Sequence, residues 1–203
     1  MTVTAIRQTS PGRLTVVLED GSEVRSTLGA VTDLRLYTGR ELDEEALERL
    51  RLASARSLGR ERALELISRR PMSRKELRGK LLQKGETEDT AEYCAQWLEE
   101  HGFLNDESYA AAVARHYAAK GYGPGRVRAE LGRRGVQREL WDEALEAMPA
   151  PDDKLDRFIS SRLKAPEDRQ QIQKISSALY RRGYSWEEIR SALRRCSAQI
   201  EDN

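Results

Sequence analysis

The sequence predicts a mainly α-helical protein: tandem three-helix, helix-turn-helix-like repeats in an elongated row, preceded by a small N-terminal antiparallel β-meander. Three observations predict it. The first 30 residues alternate in polarity and carry tight-turn signals, whereas the chain after residue 58 follows helical spacing. Three glycines, Gly85, Gly135 and Gly183, recur at spacings of 50 and 48 residues with matching apolar positions around them. Of the 203 residues, 34% are charged and only 6% aromatic, a composition that fits several thin helical cores better than one thick one.

The meander rests on three β-type runs: Val3 to Ile6, Leu14 to Leu18, and Glu23 to Leu28. Leu14, Val16 and Leu18 alternate with more polar neighbours. Ser10-Pro11-Gly12 and Asp20-Gly21 punctuate the runs, and Asp-Gly is a strong hairpin signal. Three short strands are marginal alone and must pack on a helix. Residues 41–56 offer one, with Leu42, Leu47, Leu50 and Ala53 as its apolar stripe.

The repeat is read from the three glycines. Four residues before them stand Leu81, Leu131 and Leu179, and eight before stand Leu77, Val127 and Ile175. Six after stand Ala91, Trp141 and Ile189; nine after, Cys94, Ala144 and Ala192; thirteen after, Leu98, Met148 and Cys196. Each unit reads as three helices. The first carries Ala63/Leu64/Ile67, Val113/Tyr117 or Phe158/Ile159/Leu163. The second ends at the glycine, which supplies the left-handed residue past a helix C-terminus. The third follows it. Ser73-x-x-Glu76 and Ser185-x-x-Glu188 are capping-box patterns. The division that follows is residues 1–57, then repeats at 58–105, 106–149 and 150–203. Gly121-Tyr122-Gly123-Pro124-Gly125 reads as a linker, because it lacks the Lys-Ser/Thr of a phosphate loop. Pro149-Ala150-Pro151 reads as the break between the last two repeats.

The net charge of +1 hides segregation. Residues 60–84 hold nine Lys/Arg against three Asp/Glu, and residues 86–107 hold eight Asp/Glu and no Lys/Arg. Residues 120–138 are again basic and 139–156 again acidic. Local charge is therefore the informative quantity. The basic residues gather on the second helix of each repeat: Arg74, Lys75, Arg78 and Lys84; Arg126, Arg128, Arg133 and Arg134; Lys174, Arg181 and Arg182. Such a row can pair with phosphates or meet an acidic protein surface. These eleven side chains are the candidate binding residues.

Three motifs resemble those of the RecX family. They are Met72 to Leu81 followed by Lys84-Gly85, Leu98 to Ala110 with its Gly102-Phe103-Leu104-Asn105-Asp106 centre, and Gly125 to Leu131 followed by Arg134-Gly135-Val136. The resemblance covers about residues 60–195. It implies a regulator that lies in the groove of the RecA–DNA filament and reduces ATPase, strand-exchange and coprotease activity. The partners it implies are the RecA filament and single- or double-stranded DNA. The alternatives are a stand-alone DNA-binding helix-turn-helix array and a helical protein-interaction adaptor.

The remaining expectations are negative or structural. No metalloprotease, phosphate-loop or nucleophile-elbow motif occurs, so neither catalysis, cofactor nor metal is expected. Cys94 and Cys196 sit at apolar helical positions and read as core residues in a reducing cytoplasm. His101 reads as a helix-end cation. Trp97, Trp141, Trp186, Tyr93 and Tyr109 read as core anchors, and Tyr122 and Tyr184, beside turn glycines, as the more exposed rings. No apolar run approaches the length of a membrane span, and the protein is expected to be monomeric.

Overall fold

The computed structural model describes residues 1–149, 152–165 and 167–201. The chain divides into two compact units, Met1–Leu104 and Asn105–Asn203.

In the first unit, strands β1 (Val3–Ser10), β2 (Arg13–Leu18) and β3 (Glu23–Thr27) form an antiparallel sheet in the order β1-β2-β3. The turns between them use Gly12 and Gly21 at φ of +76° and +80°. The alternation of Leu14, Val16 and Leu18 puts one face inward, where Val16 and Leu18 are buried with Val3, Val31, Leu42 and Leu50. The third strand ends one residue earlier than expected. The Thr27 hydroxyl accepts from the Ala30 amide and starts a short helix, α1 (Leu28–Asp33).

Helix α2 (Glu44–Arg69) opens on Asp43, whose carboxylate accepts from the Ala46 amide at 2.7 Å. Two separate helices were expected here; one 26-residue helix is found, and the expected boundary at 57/58 lies within it. No proline interrupts residues 44–69, so nothing stops the helix. Its first half covers the sheet. Hydroxyl pairs Ser54–Ser26 (2.8 Å) and Thr27–Ser57 (2.6 Å) satisfy the buried polar groups at that contact. Its second half is the first helix of the first repeat, with Ala63 and Leu66 in the core. Gly59 sits mid-helix because a Cβ there would stand 2.9 Å from both Cys94 Sγ and Thr90 Cγ2.

Helix α3 (Arg74–Gln83) begins with the expected Ser73/Glu76 capping box, and α4 (Glu88–Glu100) begins on Thr87. Leu77, Leu81, Ala91, Cys94 and Leu98, all predicted from the repeat, are fully buried.

The second unit contains α5 (Asp106–Ala119), α6 (Pro124–Arg133), a 3-10 turn (Arg138–Leu140), α7 (Trp141–Glu146), α8 (Asp152–Ser160), α9 (Arg169–Arg181) and α10 (Trp186–Glu201). Val127, Leu131 and Ala144 centre one core; Ile175, Leu179, Ile189, Ala192 and Cys196 centre the other. The Ser185/Glu188 capping box forms, with bonds of 2.7 and 3.2 Å. Of the expected Pro149-Ala150-Pro151 break, Ala150 and Pro151 lie outside the described residues.

Gly85, Gly135 and Gly183 have φ of +90°, +71° and +91°. After each, the next amide returns to the carbonyl five residues back: Glu86 to Leu81 at 3.1 Å, Val136 to Leu131 at 3.0 Å and Tyr184 to Leu179 at 3.2 Å. This is the left-handed helix end that the repeat predicts.

Candidate nucleic-acid and partner interface

Eight of the eleven basic residues lie on the second helices and Lys84, Arg134 and Arg182 are their C-caps, but the structure divides them into two groups. On α3 the acidic block that follows in sequence folds back as α4 and takes up charge. Arg74 bonds Glu92 and Glu99, and Arg78 lies 3.0 Å from Glu88 and 2.7 Å from Glu92. Lys75 and Lys84 remain exposed with no carboxylate partner among the described residues. The predicted row of Arg74, Lys75 and Arg78 is thus mostly an internal helix–helix clasp.

On α6, Glu130 is 5% exposed and holds two of the candidates. Arg133 donates to it through Nε (3.0 Å) and Nη2 (2.6 Å), and Arg134 through Nε at 2.6 Å. Arg134 also donates to the Tyr109 hydroxyl at 2.6 Å. The Arg133 hydrogen bonds first, then those of Arg134, hold the Glu130 carboxyl down to about 2 despite its burial. Arg134 therefore ties α6 to α5, whereas the Arg133 side chain stays 69% exposed. Arg126 is exposed with its guanidinium over the Tyr122 ring. Arg128 is half-exposed, 3.6 Å from Asp142.

On α9, Lys174 and Arg181 are exposed. Arg182 instead lies over the Phe158 ring, and its Nη1 reaches the Gly121 carbonyl at 3.4 Å. Of the candidates, Lys75 and Lys84 in the first unit and Arg126, Arg128, Arg133, Lys174 and Arg181 in the second keep exposed side chains.

The segment expected to be a linker is a seam. The Gly123 amide donates to the Arg182 carbonyl and the Gly125 amide to the Gly183 carbonyl, both at 2.9 Å. The start of α6 therefore caps carbonyls at the end of α9. The backbones touch: a Cβ on Gly123 would lie 2.6 Å from the Gly183 oxygen, and one on Gly183 would lie 2.2 Å from the Arg126 nitrogen. Lys154 Nζ strengthens the join by donating to the Ala118 and Ala119 carbonyls at 3.2 and 3.1 Å. Both joined helices lack an exposed carboxylate. α9 contains no Asp or Glu, and the one on α6 is the buried Glu130.

Two aromatic expectations reverse. Tyr184 is buried, because the residue that follows the left-handed glycine packs its side chain back onto the helix. Trp186 is 51% exposed and stacks on Tyr180, itself 54% exposed, with ring centroids 5.1 Å apart and planes at 19°. Tyr109 is buried, and Tyr93, Trp97 and Trp141 are half-buried against their cores, as anchors should be. His101 ends α4 and stacks on Trp97. Burial first, then Glu86, pushes the Cys94 thiol up to about 11, so it is an inert core group. Among the described residues no cluster of three or more His, Cys, Asp or Glu could hold a metal ion, and no helix is long and apolar enough to cross a membrane.

Comparison with known proteins places three family models along the chain in order: the first three-helix domain of RecX on residues 60–98, the second on 105–145 and the third on 160–193. The regulatory protein RecX of Xanthomonas axonopodis pv. citri (strain 306) is 39% identical over 137 residues, 66% of this chain and 85% of that protein. The regulatory protein RecX of Vibrio vulnificus (strain CMCP6) is 33% identical over 135 residues, 64% of this chain and 88% of that one. Among solved structures, a crystal structure of regulatory protein RecX superposes with a TM-score of 0.72 at 22% identity, covering 94% of this chain and 98% of its own. RecX from Lactobacillus salivarius gives 0.66 at 21% identity, covering 72% and 99%.

Proposed function

Because the chain belongs to the RecX family of regulatory proteins, we propose that it regulates RecA recombinase by binding along the groove of the RecA–DNA filament and limiting ATPase, strand exchange and coprotease activity. One observation carries the contact surface: the α6–α9 seam joins two helices whose exposed charges are all cationic. A polyanionic filament would be met there by Arg126, Arg128, Arg133, Lys174 and Arg181. Lys75 and Lys84 are the exposed candidates of the first unit, taken by itself. Regulation of this kind works by occupancy. It assigns no catalytic step, cofactor or metal to the chain, and it needs only a monomer in the cytoplasm, where RecA works.

The test is RecA ATPase on single-stranded DNA with the full-length protein added. Progressive inhibition as the protein approaches a few-fold molar excess over filament is expected. An unchanged rate across that range overturns the reading. A second reading, direct DNA binding that needs no RecA, is favoured by the same cations. Anisotropy of labelled duplex and single-stranded DNA without RecA separates the two: tight, sequence-specific duplex binding supports the second.

A further inference from the structure

The stacked pair Tyr180–Trp186 has no role in any core. Each ring is more than half exposed, and their planes lie within 19° of each other. The repeat does not call for them: the corresponding residues are Leu82 and Glu88 in the first repeat and Gly132 and Arg138 in the second. A large exposed aromatic pair costs solvation and needs an explanation.

Beside the pair runs an open groove of about 620 Å³, with Tyr180 on one side and Pro124 and Arg128 among its other lining residues. The carboxylate that reaches this groove, Glu188, is turned to the Ser185 amide at 2.7 Å and serves as a cap. Across the seam, α6 and α9 offer Arg126, Arg128, Lys174 and Arg181 and no exposed carboxylate. Arg128 shares its charge with Asp142 at 3.6 Å, but Arg126, Lys174 and Arg181 have no carboxylate partner among the described residues, and such cations select a polyanion. A flat exposed π-face selects an unpaired base, because a duplex hides its base faces in its own stack.

We propose that Tyr180 and Trp186 form a stacking platform for an unpaired base of single-stranded DNA, whose phosphates track the cations of α6 and α9. This deepens the reading above and rests on its claim that the seam meets nucleic acid. The protein would then recognise the single strand directly, through one or two bases at the third repeat, with no sequence preference beyond stacking strength.

The experiment measures anisotropy of labelled oligo-dT, of an abasic oligonucleotide of equal length, and of a duplex, each with the full chain. The proteins are the unaltered chain, Tyr180→Ala/Trp186→Ala, and Tyr180→Phe/Trp186→Phe. Both positions are exposed, so the variants should keep the native melting temperature, which is measured alongside. The expected result is a fivefold or greater loss of oligo-dT affinity in the alanine variant, largely restored by phenylalanine. Abasic and duplex affinities should be unchanged, and so should the salt slope, because no phosphate contact is removed. Equal binding of oligo-dT and abasic strands by the unaltered chain, indifferent to the alanine variant, overturns the platform while leaving the electrostatic contact standing. A variant that binds oligo-dT normally but no longer associates with RecA filaments also overturns it, and assigns the rings to a protein partner. If the unaltered chain binds no free strand at all, both the platform and direct nucleic-acid contact by the seam fail together.

Discussion

Glu130 is the only acidic residue on α6, and it is 5% exposed between Arg133 and Arg134. Its carboxyl titrates near 2, well below the ordinary carboxylate range, so the charged form is the one the fold holds. A group depressed in the folded state adds stability above its unfolded value and loses it as pH falls through the folded one. The contribution at neutral pH is on the order of 3 kcal/mol and disappears between about pH 5 and 2. Glu130→Gln should therefore melt well below the unaltered chain at pH 7, and most of the gap should be gone as the pH is lowered to about 2.5. A gap that does not change with pH would show that the carboxylate charge, held by Arg133 and Arg134, is not what stabilises this helix end. In the sequence, Arg133 and Arg134 look equivalent, two adjacent cations before a glycine. Only the fold shows that Arg134 reaches Tyr109, 25 residues away, while the Arg133 side chain remains largely in solvent. Residue-scale roles were legible where they depend on local spacing, as for the capping serines. They were hidden where the partner is distant in sequence.

Helix ends follow the same division. The three repeat glycines were legible because a left-handed residue after a helix is a local requirement, met by Gly with no steric cost. What surrounds each glycine was not legible. A Cβ on Gly85 would meet nothing within 4 Å, whereas one on Gly183 would strike the α6 backbone at 2.2 Å. Gly85→Ala should therefore cost only the left-handed penalty, about 1 kcal/mol, visible as a drop of a few degrees in melting temperature. Gly183→Ala should cost clearly more, and it should expose the Gly123 and Gly125 amides to hydrogen exchange. Equal losses in the two variants, with both amides still protected, would rule out a tight backbone seam. The Gly121–Gly125 segment reads as a linker from composition alone, because close approach of two backbones depends on a second segment some 60 residues on. The continuity of α2 also depends on a distant partner: Gly59 stands mid-helix, where it admits α4.

At the scale of the whole chain, the alternation of basic and acidic blocks has two different outcomes. In the first unit the blocks meet: the α3 arginines are taken up by α4, and Arg62 pairs with Glu86. In the second unit the cations of α6 and α9 meet an acidic block, among the described residues, only at Arg128 and Asp142, and the two helices otherwise keep an outward cationic surface, because their one carboxylate is buried and bonded. Composition revealed the blocks but not which of them neutralise each other, since that depends on which helices pack. Charge reversal separates the two outcomes. Arg74→Glu/Arg78→Glu places two acids against Glu88, Glu92 and Glu99. Its first effect should be a lower melting temperature, with strand affinity following only the fraction folded. Arg126→Glu/Lys174→Glu/Arg181→Glu should leave the melting temperature nearly unchanged, because exposed charges contribute little to stability. That triple variant should lose affinity for DNA of any sequence and flatten the dependence of log affinity on log salt by about 2, since each lost phosphate contact removes about 0.7 on a single strand. Should the α3 pair carry the salt slope and the α6–α9 triple leave it untouched, the contact surface would belong to the first repeat, and the seam would be a structural joint alone.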